Sequence, residues 1–147
     1  MQLSSPAFAN QDTIPDTHGP KGKNRHPALL ISEAPEGTIS FAIIMHDPDA
    51  VRRDFLHWAI WNIPVACTTI AEGVVPEGAI EGLNDMKKPG YLRPMPPAKT
   101  GLHRYIFTIY ALNTLLDLPA NASRTTIEAA INPHIIARAE LIGLFSR

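Results

Sequence analysis

Cysteine is nearly absent: the 147 residues hold one, Cys67. It can form no internal disulfide, which fits a reducing compartment and argues against a small disulfide-stapled scaffold. Its neighbours Ala66 and Thr68 carry no charge to activate a thiolate, so a buried or incidental thiol is expected rather than a nucleophile. Long apolar runs are missing too, and no segment reaches the roughly 18–20 residues of a membrane helix. The opening Met1–Pro6 has neither a positive start nor an apolar stretch, so the expected location is the cytoplasm, with no stable membrane insertion. Excess charge of either sign is absent: net charge is −1. The one dense basic run, Lys21, Lys23 and Arg25, has no aromatic among its members, so no nucleic-acid partner is expected. Neither a Gly-x-Ser-x-Gly elbow nor a glycine-rich phosphate loop occurs, and no repeat or low-complexity tract is visible.

What is present describes a folded domain. Apolar residues make up 45% of the chain and charged residues 18%, a globular profile, and the length fits one domain spanning residues 1–147. Fourteen prolines and nine glycines are spread along the chain, which suits a β-dominated fold with many loops. The stretch before Pro35 reads as loop-rich. Strands are predicted at Thr38–Met45, His57–Ile63 and His103–Leu112, where apolar and β-branched or aromatic residues alternate or run together. Glu72–Pro97, rich in glycine, proline and asparagine, reads as long surface loops. Thr125 and Glu128 stand in capping-box spacing for a short helix, and Asn132-Pro133 restarts a helix through His134–Ala139. Glu140–Phe145 reads as a closing strand.

Three clusters could carry chemistry. Met45-His46-Asp47-Pro48-Asp49-Ala50 ends a buried strand; by alternation His46 and Asp47 point opposite ways, and Asp47 is the member expected at a site. Standing alone, this cluster reads as an acidic turn. Phe55-Leu56-His57-Trp58 enters the next strand, where alternation predicts His57, Ala59, Trp61 and Ile63 on one face and Trp58, Ile60 and Asn62 on the other. Both tryptophans are expected in the core. Gly90-Tyr91-Leu92-Arg93-Pro94-Met95-Pro96-Pro97 then leads to Gly101-Leu102-His103-Arg104-Tyr105, with His103 and Tyr105 sharing a face. His18 and His26 fall in the N-terminal loops and are expected to be solvated; His134 is read as a surface or packing residue.

Together, Asp47-Pro48-Asp49-Ala50, His57-Trp58, and Pro96-Pro97 ahead of Gly101-Leu102-His103-Arg104-Tyr105 resemble the phosphatidylethanolamine-binding protein family. Length and the late Ala139-Glu140-Leu141-Ile142-Gly143 segment look like its bacterial, Raf-kinase-inhibitor-like branch. The resemblance implies a mainly β fold: an antiparallel β-sandwich, a large sheet packed on a smaller one, with short peripheral C-terminal helices. It also implies a pocket for phosphate, phosphorylethanolamine or similar small anions. By motif the pocket would be lined by Asp47, Asp49, His57, Tyr91, Pro96, Pro97, His103 and Tyr105, with Phe55 and Arg93 at its rim. Bacterial relatives suggest a homodimer. This chain departs from the pattern at Val51, where proline is usual, and at Arg93, where glycine is usual. It departs again at Lys21-Gly22-Lys23-Asn24, where an Asp-Gly-Glu-Asn-like turn is usual, and at His26-Pro27-Ala28, where Ser-Pro-Pro is usual. A more basic mouth is expected from these changes.

The expected mechanism has aspartates raising the pKa of His57 and His103, so that imidazolium N–H groups hold an anion more tightly as pH falls. Three other readings stand beside it. Two histidines and two aspartates are legitimate metal ligands, although no metal or cofactor is implied. An Asp–His pair could serve a weak hydrolase, although no catalytic residue is identified and no enzyme is expected. The surface around the pocket could instead be a kinase-inhibitor-like module for a protein partner, which the family name alone does not establish.

Overall fold

Alternating apolar side chains make the long strands two-faced, and each face finds its own cover. The computed structural model describes residues 1–147. Its elements run β1 (Gln2–Ser4), β2 (Asp12–Thr13), β3 (Leu29–Ser32), β4 (Ser40–Asp47), β5 (Phe55–Pro64), β6 (Thr69–Ile70), β7 (Ile80–Glu81), β8 (His103–Leu112), α1 (Arg124–Ile131) and β9 (Ile135–Phe145). A small sheet has the order β1-β3-β6, and a large one the order β2-β9-β8-β4-β5-β7. Every pairing is antiparallel except the short β2–β9 contact. This is the expected two-sheet, mainly β architecture. No helix is long and apolar enough to cross a membrane.

The core between the sheets is built from Leu3, Leu29, Ile31 and Ile70 on the small-sheet side. The large sheet answers with Phe41, Ile43 and Met45 of β4, Trp58, Ile60 and Ile63 of β5, and Phe107, Ile109 and Ala111 of β8. On the other face of the large sheet, Ala42, Ile44, Leu56, Ala59 and Trp61 meet Ile127 and Ile131 of α1. Both tryptophans are fully buried, as expected.

Two irregularities break the predicted alternation of β5. Phe41 faces Ile63 but Ile43 faces Ile60, so β5 carries one extra residue there, beside Asn62 in the left-handed region (φ 56°). Met45 faces Trp58 but His46 faces Leu56, so His57 is the extra residue of a second β-bulge. The face predicted for His57, Ala59, Trp61 and Ile63 therefore survives only at Ala59 and Trp61. Ala59 and Trp61 pack toward α1, Ile63 packs between the sheets, and His57 is turned toward one end of the sandwich.

Three further expectations are corrected. The loop-rich N-terminal stretch contains β1, β2 and β3. Helix α1 is capped by Ser123, whose Oγ accepts from the Thr126 amide at 3.1 Å, two residues ahead of the predicted cap. The second helix is only a 3-10 turn over Asn132–His134; from Ile135 the chain is strand, pairing with β8 from Leu112↔Ile135 to His103↔Phe145. The local Asn-Pro signal starts a turn. The open edge of a ten-residue strand then captures the β-branched Ile135 and Ile136 and the residues after them.

Candidate functional site

The ends of β4, β5 and β8 converge at one end of the sandwich, and the loops that leave them wall a cleft of ≈ 1140 Å³. Asp47 continues the inward face of Phe41, Ile43 and Met45, while His46 points to the α1 side and meets Asp54 at 2.7 Å. His103 and Tyr105 begin the inward face of β8, as alternation predicts. The His57 bulge supplies the third strand's contribution.

Asp47 and His103 are buried against each other, with side chains 4% and 2% exposed. His103 Nδ1 donates to Asp47 Oδ2 at 2.7 Å, and the other carboxylate oxygen accepts from the Asp49 amide at 2.8 Å. That amide contact is an Asx turn, which fixes the loop after Pro48. His103 Nε2 lies 2.8 Å from Thr100 Oγ1, which in turn donates to the Pro97 carbonyl at 2.7 Å. The ring is held from both sides.

His57 is different. Its Nδ1–H donates to the Leu92 carbonyl at 2.8 Å, and its ring meets Tyr105 and Phe55 edge-on at 5.2 and 4.9 Å. No protein group bonds Nε2. Burial pushes the pKa of His57 down, against the opposing pull of the Leu92 carbonyl and the Asp47 carboxylate. With hydrogen on Nδ1, a neutral His57 ring turns Nε2 toward the cleft as an acceptor. The direction for this ring is opposite to the rise expected from its aspartate neighbour. Burial, reinforced by the Asp47 carboxylate, pushes the Tyr105 hydroxyl well up, so it stays a donor.

Of the motif residues, Asp47, His57, Pro96, Pro97, His103 and Tyr105 line the cleft, as do Phe55 and Arg93 at the rim. Tyr91 and Asp49 do not. Tyr91 is buried behind the wall, its hydroxyl donating to the His18 carbonyl at 3.3 Å, and burial raises its pKa. Asp49 faces away and grips Arg104, accepting from its backbone amide, Nε and Nη2 at 2.9, 2.9 and 3.0 Å. Those bonds hold the Asp49 carboxyl below its ordinary range.

Motif reasoning missed Arg52, Arg53 and Lys88, which join Arg93 around the mouth, and Thr100 and Asn24 on the wall. The only signals in the sequence were the Arg52-Arg53 and Lys87-Lys88 pairs in loops that flank the motifs. Arg93 is tethered: Nη1 donates to the Gly22 carbonyl at 2.8 Å, and its amide donates to Asn24 Oδ1 at 2.8 Å. Lys21 instead pairs with Asp16 at 3.2 Å and takes no part in the lining. Val51, Met86 and Met95 add exposed apolar surface to the lining. Cys67 is half-buried against the core between the sheets, and burial pushes its thiol pKa up. No group of three or more His, Cys, Asp or Glu side chains is arranged to hold a metal ion.

Comparison with known proteins agrees with this architecture over nearly the whole chain. The family model described as phosphatidylethanolamine-binding protein matches residues 4–146. The UPF0098 protein of Methanothermobacter thermautotrophicus is 39% identical, over 100% of this chain and 99% of its own length. That of Aquifex aeolicus is 40% identical, over 100% and 89%. A solved structure from Chlamydia trachomatis superposes with a TM-score of 0.93 at 34% identity, covering 99% of this chain and 97% of its own. Escherichia coli YbcL, described as a new member of the mammalian PEBP family, superposes at 0.94 with 29% identity, covering 99% and 98%. With its two sheets, its strand-end cleft and a family match spanning both, this chain belongs to the phosphatidylethanolamine-binding protein family.

Proposed function

We propose that the cleft binds a small anionic group, such as phosphate or a phosphorylethanolamine-like headgroup. The observation that carries this reading is the charge balance of the lining. Arg52, Arg53, Lys88 and Arg93 surround the mouth, and the single lining carboxylate, Asp47, is already bonded to His103. A concave site ringed by one sign of charge raises the local concentration of the opposite sign. Deeper in, the Tyr105 hydroxyl is a donor, and His57 Nε2, which no protein group bonds, faces the same space.

An anion beside His57 stabilises its imidazolium, so binding takes up a proton. Affinity then rises as pH falls from about 8 to about 6, around histidine's reference pKa of about 6.5. The exposed Val51, Met86 and Met95 favour a second reading, in which the rim meets a protein partner.

Calorimetric titration of inorganic phosphate and phosphorylethanolamine at both pH values, on wild type and His57→Ala, tests the proposal. Binding that strengthens at the lower pH and loses that dependence in the variant supports it. No binding at either pH overturns it and favours the partner reading.

A further inference from the structure

Two buried histidines lie behind the cleft, outside the site described above. His18 closes a 3-10 turn over Asp16–His18, and His26 stands ahead of β3; they are 4% and 3% exposed. His18 Nδ1 faces the Arg25 carbonyl at 3.0 Å, and its Nε2 faces Glu72 Oε1 at 3.1 Å. His26 Nδ1 faces the Pro27 carbonyl at 2.9 Å, and its Nε2 faces the Val74 carbonyl at 3.0 Å. All four partners are oxygens with no hydrogen to offer at neutral pH. Each ring meets both of its contacts only with hydrogen on both nitrogens, as the imidazolium; a neutral ring aims a lone pair at an oxygen.

The surroundings agree. The His26 ring stacks on Trp58 at 4.6 Å and 15°, and an indole face attracts a cation. Trp58 Nε1 donates to Glu81 Oε2 at 2.6 Å, which places a carboxylate at the edge of that indole. Tyr91 stands edge-on to His26 at 6.2 Å and donates to the His18 carbonyl. Glu72 is the one charged side chain bonded to either ring, and the nearby Lys21 and Asp16 are paired with each other. The Arg25 side chain lies alongside Gly73.

These contacts join two loops. Glu72 and Val74 belong to the loop after β6, where the Gly73 amide also donates to the His26 carbonyl at 3.1 Å. The opposing loop carries Gly22 and Asn24. Asn24 Nδ2 donates to the Tyr91 carbonyl at 2.8 Å while its Oδ1 accepts from the Arg93 amide, and Gly22 holds the Arg93 guanidinium.

We propose that His18 and His26 are positioning residues, a proton-operated clasp that fixes the Asn24–Arg93 wall of the cleft when both rings are charged. As pH rises and the rings lose their second hydrogen, each loses one bond and the two loops part more readily. The effect on ligand binding rests on the anion reading above; the clasp itself does not.

The test is hydrogen exchange of the ligand-free protein between about pH 8 and about pH 5.5, corrected for intrinsic rates, with nitrogen NMR of the histidine rings. Protection of residues 19–27 and 71–76 should rise roughly tenfold or more toward the acid end, relative to β4 and β8 amides. His26→Phe keeps a ring over Trp58 and should remove most of that rise. Both His18 and His26 should report two protonated nitrogens at the acid end. Exchange in these loops that is independent of pH, or a ring with a single hydrogen at about pH 5.5, overturns the proposal. The wild-type spectra decide it even if the variant does not fold. A clasp that fails while phosphate still binds leaves the anion reading intact, and the reverse outcome leaves the clasp intact.

Discussion

Replacing Asp47 separates the cost of an unpaired buried group from the cost of a lost charge. In wild type one carboxylate oxygen accepts from His103 and the other from the Asp49 amide, with both side chains of the pair almost wholly buried. Asp47→Ala leaves the His103 Nδ1–H and the Asp49 amide without protein acceptors. Removing one partner of a buried ion pair costs about 3–5 kcal/mol. Asp47→Asn can keep the Asx turn through its carbonyl oxygen and present its amide to His103. The ring can answer by keeping hydrogen on Nε2 alone, where Thr100 Oγ1 accepts it and still donates to Pro97. Only the charge assistance is then lost, about 1–2 kcal/mol. With a urea m-value of about 1.5 kcal/mol/M, the midpoint should fall by about 2–3 M for Ala and about 1 M for Asn, with m unchanged. Urea unfolding followed by tryptophan fluorescence measures both, since Trp58 and Trp61 are buried. Equal losses in the two variants, or a loss below about 0.5 kcal/mol for Asp47→Ala, would refute the picture of a rigid buried pair.

Two further outcomes are expected. Arg104 holds the Asp49 carboxyl below its ordinary range, so this pair stabilises the fold above the unfolded value of about 3.9 and loses that contribution as pH falls through the lower folded value. Thermal melts of Asp49→Asn below about pH 4 should decline less steeply than wild type, and an unchanged slope would count against the pair. Gly143→Ala places a Cβ 2.4 Å from Ile14 Cγ1 and 2.9 Å from the Phe8 ring, and should destabilise by about 1–3 kcal/mol in the same urea assay. A change within about 0.5 kcal/mol would mean that β2 and the N-terminal segment yield freely.

Where one strand's own periodicity governs, the site is readable from sequence. Alternation places His103 with Tyr105 and sends Asp47 and His46 to opposite faces, and the structure agrees at each. Resemblance supplies the sheet-on-sheet architecture, which single strands do not encode. His57 is where periodicity fails, because a bulge depends on the register of two strands and neither strand's residues announce it. Ile135–Ala139 fails for a related reason: local turn chemistry favours a helix, and pairing with β8 outweighs it. Loop residues are the least legible. Arg52, Arg53 and Lys88 reach the mouth through loop paths, and His18 and His26 are buried only because a second loop, far along the chain, closes over them.

The bulge at His57 makes this residue a passenger in the ladder rather than a rung. On either side of it Leu56 packs in the core against α1 and Trp58 in the core between the sheets, so each must fit its surroundings in size and polarity. His57 answers to no such partner, so position 57 can change its chemistry while the sandwich repeats the same packing around it. The reverse also holds: deleting one residue here would restore the ladder at this point and keep a folded sheet that no longer presents this ring to the cleft. Loss of the site and loss of the fold are therefore separable events in this architecture, and a descendant that sheds the first gives up one hydrogen bond and one ring's packing rather than its sheets.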